Sequence, residues 1–92
     1  MLTVYSKKIC PYCDNAKQYL RNNDIAFAEI DVEQDPAALE FIRAEGHRTV
    51  PQIYLNGKVF VPGGWAGLSS LTPDQIQQEL ELRQALDDVD AI

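Results

Sequence analysis

The chain has few of the residues from which metal sites and disulfide frameworks are built. It holds two cysteines and one histidine. A closed zinc site takes about four ligands, so Cys10, Cys13 and His47 fall short of one, and no metal is expected. Bases are also scarce, eight Lys and Arg against fourteen Asp and Glu. No basic patch is large enough for a dedicated nucleic-acid binder. No apolar run approaches the roughly 18–20 residues of a membrane span. The N-terminus, Met1-Leu2-Thr3-Val4-Tyr5, lacks the charged region and apolar stretch of a signal peptide. These absences lead us to expect a cytoplasmic protein that binds neither nucleic acid nor membrane and acts as a monomer. In a reducing cytosol structural disulfides are rare, so the two cysteines need another explanation.

What remains is a single small globular domain. Its 92 residues are 46% hydrophobic and 24% charged, which is ordinary globular composition. The net charge of −6 is unevenly placed. Residues 1–72 carry seven bases against eight acids, whereas residues 73–92 carry one base against six acids. The expected division is a domain over 1–86 and an acidic, solvated tail over 87–92.

Alternating β-branched and aromatic residues predict strands at 2–6 and 25–32. Between them, Pro11 at a first helical position and good helix formers after it predict a helix over 11–23. Asp35-Pro36 opens a second helix, which Gly46 stops. Asn56-Gly57 between the alternating runs 52–55 and 58–61 is a strong hairpin signal, because a type I′ turn needs positive φ twice. Gly63-Gly64 breaks the last strand. Thr72-Pro73-Asp74-Gln75 matches a capping box before a final helix. The predicted order is β-α-β-α-β-β-α. The first two strands join through a helix and should be parallel with a right-handed crossover. The result is a mixed four-stranded α/β sheet.

Cys10 and Cys13 sit at the junction of the first strand and helix. A thiol at a helix N-terminus meets the positive end of the macrodipole and unpaired backbone N–H groups. Both favour the thiolate, which is the nucleophile. Lys7 and Lys8 act in the same direction. Cys10 is then the attacking thiol. Cys13, one turn later and less exposed, is the resolving thiol. A lone C-x-x-C in a βα context reads as a thiol–disulfide redox motif. Pro11 and Tyr12 would tune the redox poise and contact the substrate.

The stretch Ser6-Lys7-Lys8-Ile9-Cys10-Pro11-Tyr12-Cys13 resembles the K-x-x-C-P-Y-C of dithiol glutaredoxins. Arg48-Thr49-Val50-Pro51-Gln52-Ile53 is similar to their T-V-P segment. Asn56-Gly57 and Gly63-Gly64 fall where that family has its hairpin turn and double glycine. The resemblance covers roughly residues 1–68. It implies a thioredoxin-like fold with strand order 2-1-3-4 and a glutathione-dependent oxidoreductase of protein disulfides and glutathione mixed disulfides. It also implies a cis Pro51 opposite Cys10, where the sequence pattern alone reads a trans Pro at a strand start. Lys7 and Arg48 would meet the glycine carboxylate of glutathione. Val50 would offer its backbone N–H and C=O to the substrate peptide, and Tyr12, Thr49 and Pro51 would also contact glutathione. Gly63, Gly64, Trp65 and Ala66 would approach its γ-glutamyl end with backbone amides. Ribonucleotide reductase is a client by family.

The resemblance departs after the double glycine. Glutaredoxins usually carry polar side chains there that hold the γ-glutamyl ammonium, and this chain has Trp65-Ala66-Gly67-Leu68. Losing one charge-assisted hydrogen bond costs about 1.5–3 kcal/mol, or one to two decades in affinity. With Pro73-Asp74-Gln75-Ile76, the stretch is similar to the W-S-G-F-R-P-D-x-I of NrdH-redoxins, which take electrons from thioredoxin reductase. Ala44-Glu45-Gly46-His47-Arg48 also resembles their segment before the cis-proline. An NrdH-like redoxin is therefore the alternative reading. A glutathione-ligated iron–sulfur carrier is a second, although Pro11 and a second cysteine suit it poorly. Trp65 also reads as a ring packed over the glycine turn, and His47 as a loop residue.

Overall fold

A computed structural model describes the backbone of residues 1–90 and the side chains of residues 1–86. Four strands, β1 (Leu2–Ser6), β2 (Phe27–Asp31), β3 (Gln52–Leu55) and β4 (Lys58–Val61), form one sheet in the order β2-β1-β3-β4. This is the expected order. β1 and β2 pair in parallel, and β3 pairs antiparallel with both β1 and β4. Four helices cover the sheet: α1 (Pro11–Asn22), α2 (Pro36–Ala44), α3 (Gly64–Ser69) and α4 (Pro73–Asp90).

Side-chain alternation divides the core into two. Leu2 and Val4 of β1 and Ile53 and Leu55 of β3 pack with Ala16 and Leu20 of α1, Leu68 of α3 and Ile76 of α4. Tyr54, the residue between Ile53 and Leu55, points to the opposite face and packs with Val32, Ala38 and Ile42 under α2. β3 is buried on both faces, as a central strand between two helical layers must be.

The local signals are realised closely. Asn56 and Gly57 both have positive φ, 52° and 81°. Asp35 caps α2 by accepting from the Ala38 N–H at 3.1 Å. Thr72 Oγ1 accepts from the Gln75 N–H, and Gln75 Oε1 accepts from the Thr72 N–H, a reciprocal capping box.

Three boundaries differ from the sequence reading. β2 starts at Phe27, because the chain is still leaving α1: Asp24 is left-handed (φ 56°) and the Ile25 N–H returns to the Leu20 carbonyl. The short helix α3 has no counterpart in the predicted order. Two glycines in six residues give it poor helix propensity, and packing overrides this. Leu68 is fully buried, and Gly67 lies so close to Pro62 that a Cβ would overlap the Pro62 carbonyl. Finally, α4 continues through Asp90. The side chains of 87–90 and all of residues 91 and 92 lie outside the described residues, and with them the expectation of a solvated acidic tail. No helix among the described residues is long and apolar enough to cross a membrane.

Candidate active site

β1 delivers the chain to the start of α1 through a short loop. Glu33, just beyond β2, holds that loop by accepting from the Lys8 N–H at 3.1 Å. Cys10 is the N-cap of α1, in extended backbone conformation, with Pro11 behind it in the first turn. Its sulfur accepts from the Cys13 N–H at 3.2 Å. That N–H belongs to the orphan amides of a helix N-terminus. Amides of that kind favour negative charge on a sulfur at the cap position. Cys10 and Cys13 are joined as a disulfide, their Cα atoms 5.2 Å apart. Cys10 is 6% exposed and Cys13 fully buried. Of the two cysteines, Cys10 is thus the one with access to solvent. Ile9 and Tyr12, 86% and 64% exposed, flank it as an apolar rim.

The facing wall is the segment between α2 and β3. The Val50–Pro51 peptide is cis, as the resemblance implied. Cys10 Sγ lies 3.7 Å from the Val50 carbonyl oxygen, across forty residues of sequence. The segment is pinned at both ends. The His47 N–H returns to the Ile42 carbonyl and the Gly46 N–H to the Arg43 carbonyl, with Gly46 at φ 88°. This is a Schellman closure of α2. Farther on, Gln52 Nε2 donates to the Thr49 carbonyl at 2.9 Å.

Two clefts adjoin this wall. The first, 470 Å³, holds Cys10, Lys7 and Arg48. Arg43 and Glu33 also line it, and the sequence reading assigned neither a role. Arg43 stands in the last turn of α2, where a base suits the dipole, so its sequence position carried no separate signal. The second cleft, 520 Å³, runs past Pro51 to Gly63, Gly64, Trp65 and Ala66. Tyr12, Thr49 and Val50 border both clefts. Between them the two clefts are lined by every residue assigned to glutathione from the sequence, with Cys10 on the first; Cys13 is buried and lines neither.

Two of those residues also have structural duties. Gly64 has φ 57°, and a Cβ on it would stand 2.7 Å from the Pro51 carbonyl oxygen. Trp65 packs edge-on against Tyr19 of α1 with centroids 5.8 Å apart. Tyr19 in turn donates from its hydroxyl to the Leu71 carbonyl at 2.6 Å. Trp65 thus packs against the core from α3 and also borders the second cleft.

On the far side of the sheet, the Tyr54 hydroxyl donates to Glu45 Oε1 at 3.1 Å and lies 2.7 Å from His47 Nε2. Burial first, and the Glu45 carboxylate second, push Tyr54 up to about 12. Beneath α1, Lys17 Nζ reaches Glu29 Oε2 at 2.6 Å and Ser6 Oγ donates to the same oxygen at 2.7 Å. Those hydrogen bonds hold the Glu29 carboxyl below its usual range.

Residues 2–60 match the family model for Glutaredoxin. Glutaredoxin 3 of Escherichia coli is 36% identical over 56 residues, which is 60% of this chain and 68% of that protein. The glutaredoxin-like protein NrdH of Lactococcus lactis is 40% identical over 53 residues, 58% of this chain and 74% of that protein. Among solved structures, a buckwheat glutaredoxin–glutathione complex aligns with a TM-score of 0.68 and 28% identity, over 87% of this chain and 76% of that one. The NrdH-redoxin of Escherichia coli aligns with a TM-score of 0.61 and 28% identity, over 84% and 91%. With its sheet order, its cysteine pair capping α1 and its cis Pro51 opposite, the chain belongs to the glutaredoxin family of thiol–disulfide oxidoreductases.

Proposed function

We propose that the protein reduces protein disulfides and glutathione mixed disulfides, with glutathione as its reductant. The observation that carries this reading is the groove itself. Cys10 shares the first cleft with the cationic side chains Lys7 and Arg48, the Gly63-Gly64 turn lines the second, and Tyr12, Thr49 and Val50 join the two. An extended tripeptide with a central thiol and a carboxylate near each end fits that arrangement. The likeness to a glutaredoxin solved with glutathione supports it.

The chemistry balances at each step. Cys10 thiolate attacks the glutathione sulfur of a mixed disulfide; a Cys10–glutathione bond forms and the protein thiolate leaves. A second glutathione thiolate then attacks that bond, releasing glutathione disulfide and restoring Cys10. With a protein disulfide, Cys10 thiolate attacks one client sulfur and frees the other as a thiolate; Cys13 thiolate then attacks the mixed disulfide on Cys10 and expels the second client thiolate. The Cys10–Cys13 disulfide left behind takes two electrons from two glutathione molecules. The Cys13 N–H and the α1 dipole stabilise the Cys10 thiolate as attacker and as leaving group. Reducing compartments such as the cytoplasm supply this reductant, and ribonucleotide reductase is the client we propose to test first.

A second reading rests on Trp65-Ala66-Gly67-Leu68, where no acidic side chain stands to hold the γ-glutamyl ammonium. Here the protein is an NrdH-like redoxin reduced by thioredoxin reductase. The Escherichia coli NrdH-redoxin, described as having a thioredoxin-like activity profile, supports this alternative. Turnover of a glutathionylated peptide separates the two. Glutathione with its reductase should sustain it. Turnover only with thioredoxin reductase and NADPH selects the second reading, and turnover with neither removes both.

A further inference from the structure

Tyr54, His47 and Glu45 form a polar cluster that the disulfide chemistry does not use. Tyr54 lies in the central strand β3 and is 1% exposed. A hydroxyl has a single proton to donate. With that proton on Glu45 Oε1, the phenol oxygen accepts from His47 Nε2 at 2.7 Å, which assigns the hydrogen to that ring nitrogen. The two rings also meet edge-on, centroids 5.8 Å apart. Because the hydroxyl holds its proton up to about pH 12, the arrangement persists across the neutral range.

Both partners flank Gly46, where α2 ends and the active-site wall begins. The Schellman closure fixes the backbone of His47. Tyr54 fixes its side chain to the sheet. Three residues later the Val50 carbonyl faces Cys10 Sγ. His47 lines the same cleft as Cys10, Lys7 and Arg48. The cluster therefore ties this wall to the fully buried strand β3, from the face opposite α1.

We infer that Tyr54 is a positioning residue, which through His47 holds residues 48–50 against Cys10 and so sets the affinity of the groove for the substrate backbone. The reactivity of the Cys10 thiolate remains with α1. This inference rests on the oxidoreductase reading.

The test is Tyr54→Phe, which keeps the ring and its contacts with Tyr5 and Phe41. The reduced full chain is mixed with a glutathionylated cysteine peptide in single turnover, which needs no choice of reductant. The half-saturating concentration should rise about five- to tenfold, the effect of one hydrogen bond of ordinary strength. The maximal rate and the alkylation rate of Cys10 by iodoacetamide should stay within twofold. Amide exchange at Thr49 and Val50 should quicken about tenfold, by the same energy. His47→Ala should reproduce these changes, and His47→Gln, which keeps a donor, should restore near-parental affinity. The double variant should be no worse than either single one. A half-saturating concentration within twofold of the parent, or effects that multiply in the double variant, overturns the inference. If the unmodified chain does not react with the peptide, the oxidoreductase reading fails. Amide exchange then decides the positioning, and unchanged exchange at Val50 overturns it.

Discussion

Gly64 and Pro51 touch backbone to backbone. A Cβ on Gly64 would stand 2.7 Å from the Pro51 carbonyl oxygen. The glycine turn and the cis-proline are therefore one unit, and the second cleft is the space beside their contact. Gly64→Ala should cost about 1–3 kcal/mol, combining overpacking with an unfavourable positive φ. It should also weaken substrate binding by moving Pro51. Gly46 has positive φ but nothing within 4 Å of its Cβ position, so Gly46→Ala should carry only the conformational part, about 1–2 kcal/mol. Urea unfolding of the two variants checks the order.

The cysteines should separate by substrate. Cys10→Ser should abolish all reduction. Cys13→Ser should keep the reduction of a glutathionylated peptide, because glutathione itself can resolve the intermediate. It should lose most reduction of a peptide with an internal disulfide, and mass spectrometry should find a mixed disulfide on Cys10. Equal loss of both activities would remove the resolving role from Cys13.

Lys7 and Arg48 line the first cleft and are exposed. Each charged hydrogen bond to a solvated carboxylate is weak, roughly 0.5–1 kcal/mol. Lys7→Gln and Arg48→Gln should each raise KM for a glutathionylated peptide about two- to fivefold, with kcat nearly constant. The effect should shrink at high salt. Arg43 should behave the same way if the carboxylate reaches the α2 side of the cleft. A change in kcat without one in KM would contradict this placement.

Tyr54 predicts an alkaline limit to stability. Its folded-state pKa is raised from 10.0 to about 12 by burial and then by Glu45. The unfolded chain therefore loses its proton first as pH rises. The stabilisation is fully present below pH 10 and disappears between about 10 and 12, up to roughly 2.7 kcal/mol in all. Tyr54→Phe should flatten that part of the stability profile, measured by urea midpoints from pH 8 to 11.5.

Glu29 gives the opposite sign. Its pKa lies below the ordinary 4.5, chiefly through the hydrogen bond from Lys17 and then that from Ser6. Stability from this pair is present above about pH 4.5 and falls as acid protonates the folded carboxylate. Glu29 is partly exposed, so less than about 1 kcal/mol is expected. Glu29→Gln should differ from the parent at pH 7 and converge with it near pH 2.

The sequence by itself determined the local elements and the reactive pair. The Asn56-Gly57 turn, the Asp35 and Thr72 caps and the N-cap position of Cys10 are short-range matters of backbone geometry and hydrogen bonding. Their residues lie within a few positions of one another, so pattern suffices to find them. The resemblance added the strand order and the cis Pro51, which pattern alone would have read as trans. Only the tertiary structure decided what depends on distant neighbours. Helix α3 forms against its own glycines because Leu68 and Gly67 find partners in the core and at Pro62. Arg43 and Glu33 join the groove because β2 and α2 end beside Cys10. Tyr54 reads in sequence as one more strand residue. The fold places its hydroxyl between Glu45 and His47, nine and seven residues away along the chain, where the active-site wall begins. A buried hydroxyl needs a partner, but which partner it finds is a property of the packed structure.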